Sequence, residues 1–258
     1  MTSRGVLVVA HGSEEPGDRP SAEVHSASVA ERLGIPCYYG YLERQEPILQ
    51  VTLNRMISDG IEEAAVVPLF FARSFFSEHV VPKLVGLPKG SRHGTILRNP
   101  GTMRVSVSGA LGDHPLMSRV MDEASEGLDP RMTAILLIGH GSMDGTSLSA
   151  VEGCADMLRS KGFETRSCFL EMQTPSVEEG LWDALGLGFG HVHVIPMFIS
   201  SSPHTSSEIP DALGLPEGCS ERVADGVRIT YGPEIGGLRS VADIVASRAE
   251  EAFSSFDH

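Results

Sequence analysis

Three histidines and two glutamates in this chain stand just past short apolar runs. GVLVVAHGS (5–13) and AILLIGHGS (134–142) place His11 and His140 before Gly-Ser. YLERQEP (41–47) recurs as FLEMQTP (169–175), which pairs Glu43 with Glu171, and VVPLFF (66–71) recurs as VIPMFI (194–199). Counted from the shared prolines, Pro196 to Pro210 matches Pro68 to Pro82; His204 then falls where the first copy has Phe76. Imidazole and carboxylate are the groups that ligate metals and move protons near neutral pH. The second copy holds a full set, His140, His204 and Glu171. The first holds His11 and Glu43, and Phe76 in place of a second histidine can stack on a flat ligand but cannot bind a metal. His79 lies three residues before Pro82, so it is a different position.

The elements that must position these groups are also written twice. The two His-Gly-Ser motifs are 129 residues apart and the other pairs 128, so the chain is a tandem duplication with halves 1–128 and 129–258. Val6–Ala10, Cys37–Leu42, Ala64–Phe71 and Arg104–Val107 read as strands of the first half. Ala134–Ile138, Thr165–Leu170, Val192–Ile199 and Val227–Tyr231 read as those of the second. Helical spacing falls over 20–33, from Pro47 to Gly60, and near 114–127, 146–161, 174–186 and 238–253, with Pro47 in a first turn and Thr174 as an N-cap. Alternating apolar strands and helices predict an α/β chain of two similar lobes, each a four-stranded parallel sheet flanked by helices. Ligands bind beyond the carboxyl ends of such strands. That edge is where His11, His140, Glu43, Glu171 and the segments 72–79 and 200–207 fall.

Composition narrows the function. A net charge of -14 without a basic cluster argues against nucleic-acid binding. The four cysteines lack CxxC spacing, which argues against a disulfide framework or a thiolate zinc site and for reduced, mostly buried thiols. The N-terminal apolar run is too short for a signal core or a bilayer span, so a cytoplasmic protein without a membrane partner is expected. Ala10 and Gly139 precede the histidines where a histidine phosphatase needs Arg, and no G-x-S-x-G elbow or P-loop occurs.

Taken together, the HGS after strand one, the FLE and Pro of the second unit, and VIPMF followed by a His six residues before Pro resemble the sirohydrochlorin chelatases, or class II chelatases. The tandem length and Phe76 most resemble their long archaeal cobaltochelatases. The resemblance implies a flavodoxin-related fold and a metal chelatase, a lyase that inserts a divalent metal into a sirohydrochlorin-type tetrapyrrole on the cobalamin route. Cobalt is expected, with nickel or iron as alternatives, and the metal is a substrate; no tightly bound cofactor is expected. The two halves would form a cleft, and the chain would be a monomer, a fused pseudo-dimer. By position, the family's active-site histidines fall on His140 and His204, as metal ligands and proton acceptors, and His11 matches the first of them in the other half. A non-catalytic tetrapyrrole or metal carrier is the competing reading.

Two neutral imidazoles hold a divalent metal but leave coordination positions open, so the metal can pass to ring nitrogens. A closed thiolate cage would trap it. The macrocycle loses two N–H protons, which histidine can accept, and Glu171 can orient a histidine or relay protons. The substrate's carboxylates face an acidic protein, a repulsion screened over roughly 8 Å at physiological salt. Local donors must therefore hold it: Ser142, Ser201, Ser202 and the hydroxyl-rich 200–207 run, with His11 and Phe76 as further contacts. His191 and His193 read as surface histidines on the opposite rim, and His25, His79, His93, His114 and His258 as solvated.

Overall fold

The computed structural model describes residues 2–13, 21–98 and 101–256. They form two compact units, Met1–His114 with Val241–His258, and Pro115–Ser240. The first unit contains β1 (Arg4–Ala10), α1 (Ser21–Leu33), β2 (Cys37–Tyr41), α2 (Leu49–Ser58) and β3 (Glu63–Pro68). A π-helical turn over Phe76–Val80 then runs into α3 (Val81–Val85), followed by β4 (His93–Arg98) and β5 (Gly101–Val107). The second unit contains α4 (Met117–Ala124), β6 (Thr133–Gly139), α5 (Thr146–Ser160), β7 (Glu164–Phe169), α6 (Val177–Leu185) and β8 (His191–Pro196). A second π-helical turn, His204–Glu208, leads into α7 (Ile209–Ala212), β9 (Glu221–Ala224) and β10 (Val227–Tyr231). The last helix, α8 (Val241–Ser254), belongs to the first unit.

Each sheet has five strands, in the orders β2-β1-β3-β5-β4 and β7-β6-β8-β10-β9. The expected four are parallel, and β4 and β9 are added antiparallel at the edges. The two added strands were not legible because an edge strand presents few apolar residues: in β4 only Ile96 is buried, and in β9 no residue is. The central strands are the opposite case. Val6, Leu7, Val8 and Val9 in β1, and Ile135 to Ile138 in β6, have no exposed surface, as strands covered by helices on both faces require.

Helix faces follow the same logic. In α5 the buried residues Val151, Cys154, Ala155 and Leu158 recur at helical spacing. Pro47 and Pro175 lie ahead of α2 and α6 rather than inside their first turns. The cap of α6 is Ser176, not Thr174: its hydroxyl accepts from the Glu179 N–H at 3.3 Å while the Ser176 N–H donates to Glu179 Oε2 at 2.8 Å.

The sequence halves 1–128 and 129–258 and the compact units are bounded differently, because the end helix of each repeat is built into the other unit. Helix α8 packs on β3 and α1. Arg248 donates to the Ala110 carbonyl at 2.7 and 3.0 Å, Arg32 pairs with Asp243, and the Arg4 guanidinium lies 5.2 Å from the Phe253 ring centroid. Helix α4 packs on α5, where Lys161 pairs with Asp122, and Glu123 accepts the backbone N–H groups of Arg239 and Ser240 at 3.0 and 2.9 Å. Among the described residues, no helix is long and apolar enough to cross a membrane.

Candidate functional site

Both His-Gly-Ser loops sit at the carboxyl edge of their sheets and are held by the same set of bonds. The Glu171 N–H donates to the His140 carbonyl at 2.9 Å, and the Glu43 N–H to the His11 carbonyl at 3.1 Å. The strand pairing thus continues past the last ladder residue and ties each histidine to its glutamate's backbone. The glycine between cannot be replaced without movement. Gly12 and Gly141 have φ of 96° and 98°, and a Cβ on them would lie 1.9 and 1.8 Å from the carbonyl oxygens of Glu43 and Glu171. The Ser13 and Ser142 N–H groups donate to Gln45 and Gln173 Oε1 at 2.7 and 3.2 Å.

In the second unit this loop brings His140 to His204. Their ring centroids are 5.1 Å apart at an interplanar angle of 89°, and Phe198 lies 6.2 and 6.4 Å from the two rings. His140 is exposed and His204 partly so, so both rings are open to a ligand. His204 Nδ1 lies 2.9 Å from Glu208 Oε2, one helical turn on. The π-helical turn that carries His204 is widened just ahead of Pro210: the Ile209 N–H reaches back five residues to the His204 carbonyl. Ser202 and Thr205 pin its start, since the Ser202 carbonyl accepts from the Thr205 and Ser206 N–H groups at 2.9 Å and the Ser202 N–H donates to Thr205 Oγ1 at 3.1 Å. The Tyr231 hydroxyl donates to the Thr205 carbonyl at 3.0 Å, and burial pushes that phenol's pKa up.

The other expected residues divide. Glu171 is exposed, with its backbone bound to the His140–Gly141 turn. Ser201 is exposed, but Ser142 is committed locally: its hydroxyl accepts from the Ser147 N–H at 3.0 Å at the start of α5. In the first unit His11 packs edge-on against Phe76 at 4.8 Å, and Phe76 stacks with Phe70 at 6.4 Å. His11 Nδ1 is 3.8 Å from Glu43 Oε1, while Glu43 also meets Arg44 Nε at 3.1 Å. His79 packs on Phe75, a residue 68% exposed.

Two residues beside the histidine pair were not legible in the sequence. Phe198 was marked only by its match to Phe70, and Glu208 only by its four-residue spacing from His204. That spacing has meaning on a helical turn, but the segment reads as a Ser-rich loop. Several histidines were also misplaced. His25 and His114 are buried, at 3% and 4% exposure, rather than solvated; His258 lies outside the described residues. His191 and His193 are half-buried around Thr230, whose Oγ1 lies 2.8 Å from His191 Nε2 and 2.7 Å from His193 Nδ1. Thr133 Oγ1 lies 3.1 Å from His191 Nδ1. Cys154 and Cys168 are buried and their thiols pushed up to about 12 by desolvation, whereas Cys219 is exposed. Among the described residues, no group of three or more His, Cys, Asp or Glu is placed to hold a metal ion. What the second unit offers is a pair of imidazoles, donors that can ligate a divalent metal without closing a cage around it and that can accept protons.

Comparison with known proteins places the fold and the repeat in a family. The family model CbiX matches twice, over residues 5–127 and 134–252. A probable sirohydrochlorin cobaltochelatase of Halobacterium salinarum is 25% identical over 276 aligned residues, covering 96% of this chain and 91% of its own. A sirohydrochlorin cobaltochelatase of Methanosarcina acetivorans is 33% identical over 123 residues, 46% of this chain but 95% of its own. Among solved structures, SirB from Bacillus subtilis with Fe3+ superposes with a TM-score of 0.76 at 20% identity, over 100% of this chain and 98% of that one. The chain is a member of the CbiX family, and it carries the family's domain twice.

Proposed function

We propose that this protein is a sirohydrochlorin chelatase that inserts a divalent metal, cobalt in the first place, into a sirohydrochlorin-type tetrapyrrole, with His140 and His204 as metal ligands and proton acceptors. One observation carries the assignment to these residues: the two rings, from loops on different strands, meet edge to face at 5.1 Å on the carboxyl edge of the sheet. The family match and the names of the relatives support the reaction class.

The chemistry follows from the ligand count. Two neutral imidazoles bind cobalt, nickel or iron in the divalent state and leave further positions to solvent and to the incoming ring nitrogens. The macrocycle gives up two N–H protons as the metal enters. A histidine released from the metal is a base suited to neutral pH. Glu171, exposed and tied through its backbone N–H to the His140 carbonyl, would relay a proton onward.

The test is insertion followed by the absorbance change of sirohydrochlorin, with Co2+, Ni2+ and Fe2+ offered separately at equal concentration. Cobalt is expected to react fastest. His140→Ala and His204→Ala are each expected to lower the rate at least about 100-fold, the scale of a lost acid–base group, with the circular dichroism spectrum kept. Full activity in both variants would remove the second unit's histidines from the reaction. Binding of the tetrapyrrole without turnover for any metal would make the protein a carrier.

A further inference from the structure

The His204–Glu208 contact has no role in the proposed insertion step, and the two repeats differ there in a correlated way. We propose that Glu208 is a positioning residue that fixes the tautomer of His204 and so turns the Nε2 lone pair toward the metal. This rests on the reading of His140 and His204 as the metal-holding pair.

A carboxylate only accepts hydrogen bonds, so at 2.9 Å from Glu208 Oε2 the nitrogen Nδ1 of a neutral His204 must carry the proton. The lone pair is then on Nε2, the outer nitrogen of the ring. A free histidine side chain favours the opposite tautomer, with the proton on Nε2, which cannot ligate through that atom. The bond to Glu208 therefore selects the form that can bind. It also fixes the ring's rotation, because donor and acceptor sit on one π-helical turn, His204–Glu208, whose backbone is held by the Ile209 N–H to His204 carbonyl bond and by Ser202 and Thr205.

Stability does not account for the contact. The two side chains are 32% and 49% exposed, and an ion pair so open to solvent adds little to folding. The other repeat supplies an internal comparison. At the positions matching His204 and Glu208 it has Phe76 and Val80, on an equivalent π-helical turn, Phe76–Val80. The turn forms without the carboxylate, so the backbone does not need it. Where the imidazole is missing, so is the acceptor.

The experiment uses the full chain, Co2+ alone as the probe, and three variants: Glu208→Ala, Glu208→Gln and His204→Ala. Affinity is read from the visible absorption of bound cobalt, and the His204 tautomer from 15N NMR of the metal-free, histidine-labelled protein. The wild type is expected to show Nδ1–H. Glu208→Ala is expected to lose that tautomer and to bind Co2+ about 10- to 100-fold more weakly, as loss of a partner to a ligating histidine does. Glu208→Gln, whose amide oxygen still accepts, is expected to keep the tautomer and lose less affinity. An unchanged tautomer and affinity in Glu208→Ala, or equal losses in Ala and Gln, would overturn the proposal. If His204→Ala binds cobalt like the wild type, it is the histidine-pair reading that fails, a result distinct from either of those.

Discussion

Acid should loosen the second unit through His193. This ring bonds Thr230 Oγ1 through Nδ1 at 2.7 Å and lies against the backbone of Ala124, the last residue of α4, so it sits between a helix from one repeat and the sheet of the other. Burial, reinforced by neighbouring His191, lowers its pKa from 6.5 to about 4. His191 is lowered as well, by burial and by the Arg228 cation, with Glu221 opposing. The sign follows from linkage. A histidine with a depressed folded-state pKa is neutral in both states above pH 6.5. As pH falls below that, the unfolded chain takes the proton first and gains stability. With 6.5 unfolded and about 4 folded, His193 alone removes about 2 kcal/mol between pH 7 and 5, and about 3 kcal/mol by pH 4. Carboxylates titrate over part of the same range, so the assay compares urea unfolding of the wild type with His193→Gln at pH 7, 6 and 5, followed by Trp182 fluorescence, the single tryptophan, in the same unit. Gln has no charge to gain. The wild type is expected to be the more stable at pH 7, and its advantage should shrink by about 2 kcal/mol at pH 5. Stability curves that run parallel, within about 0.5 kcal/mol over that range, would refute the assignment of a buried, neutral His193.

Three further outcomes are expected. Gly141→Ala places a methyl against the Glu171 carbonyl in a left-handed backbone, so it should cost about 1–3 kcal/mol from the backbone alone and shift the His140 loop, measured by urea denaturation together with the insertion assay. Ending the chain before Val241 removes α8 and exposes the surface that covers Val241, Ile244, Val245 and Phe253; at about 1.5–3 kcal/mol per buried side chain this rivals the stability of a whole domain, and hydrogen exchange should show the first unit unfolded. Installing Phe76→His together with Val80→Glu should raise the Co2+ stoichiometry by one, counted by titration, while Phe76→His alone should bind more weakly than the double variant.

The repeat, the parallel core strands and the edge where the histidines gather can all be read from the order of residues. These are one-dimensional signals: a run such as Val6–Ala10 or Ala134–Ile138 is apolar at every position only if both faces are covered, and in such a sheet the residue after the run lies at the carboxyl edge. The pairing of His140 with His204 was legible for the same reason, since both follow parallel strands that are neighbours in the sheet. Which sheet each end helix covers becomes visible only in the folded chain. The apolar stripe of α8 says that one face is buried, not against what, and α4 and α8 each pack in the unit opposite to their repeat. The edge strands β4 and β9 were hidden because one ladder and few apolar side chains are all they require. His191 and His193 alternate as exposed residues do, and were buried by Thr230, Thr133 and α4, which are distant in sequence. Glu208 was hidden because a Ser- and Pro-rich segment does not announce a helical turn, and only on that turn does a carboxylate four residues along reach the imidazole.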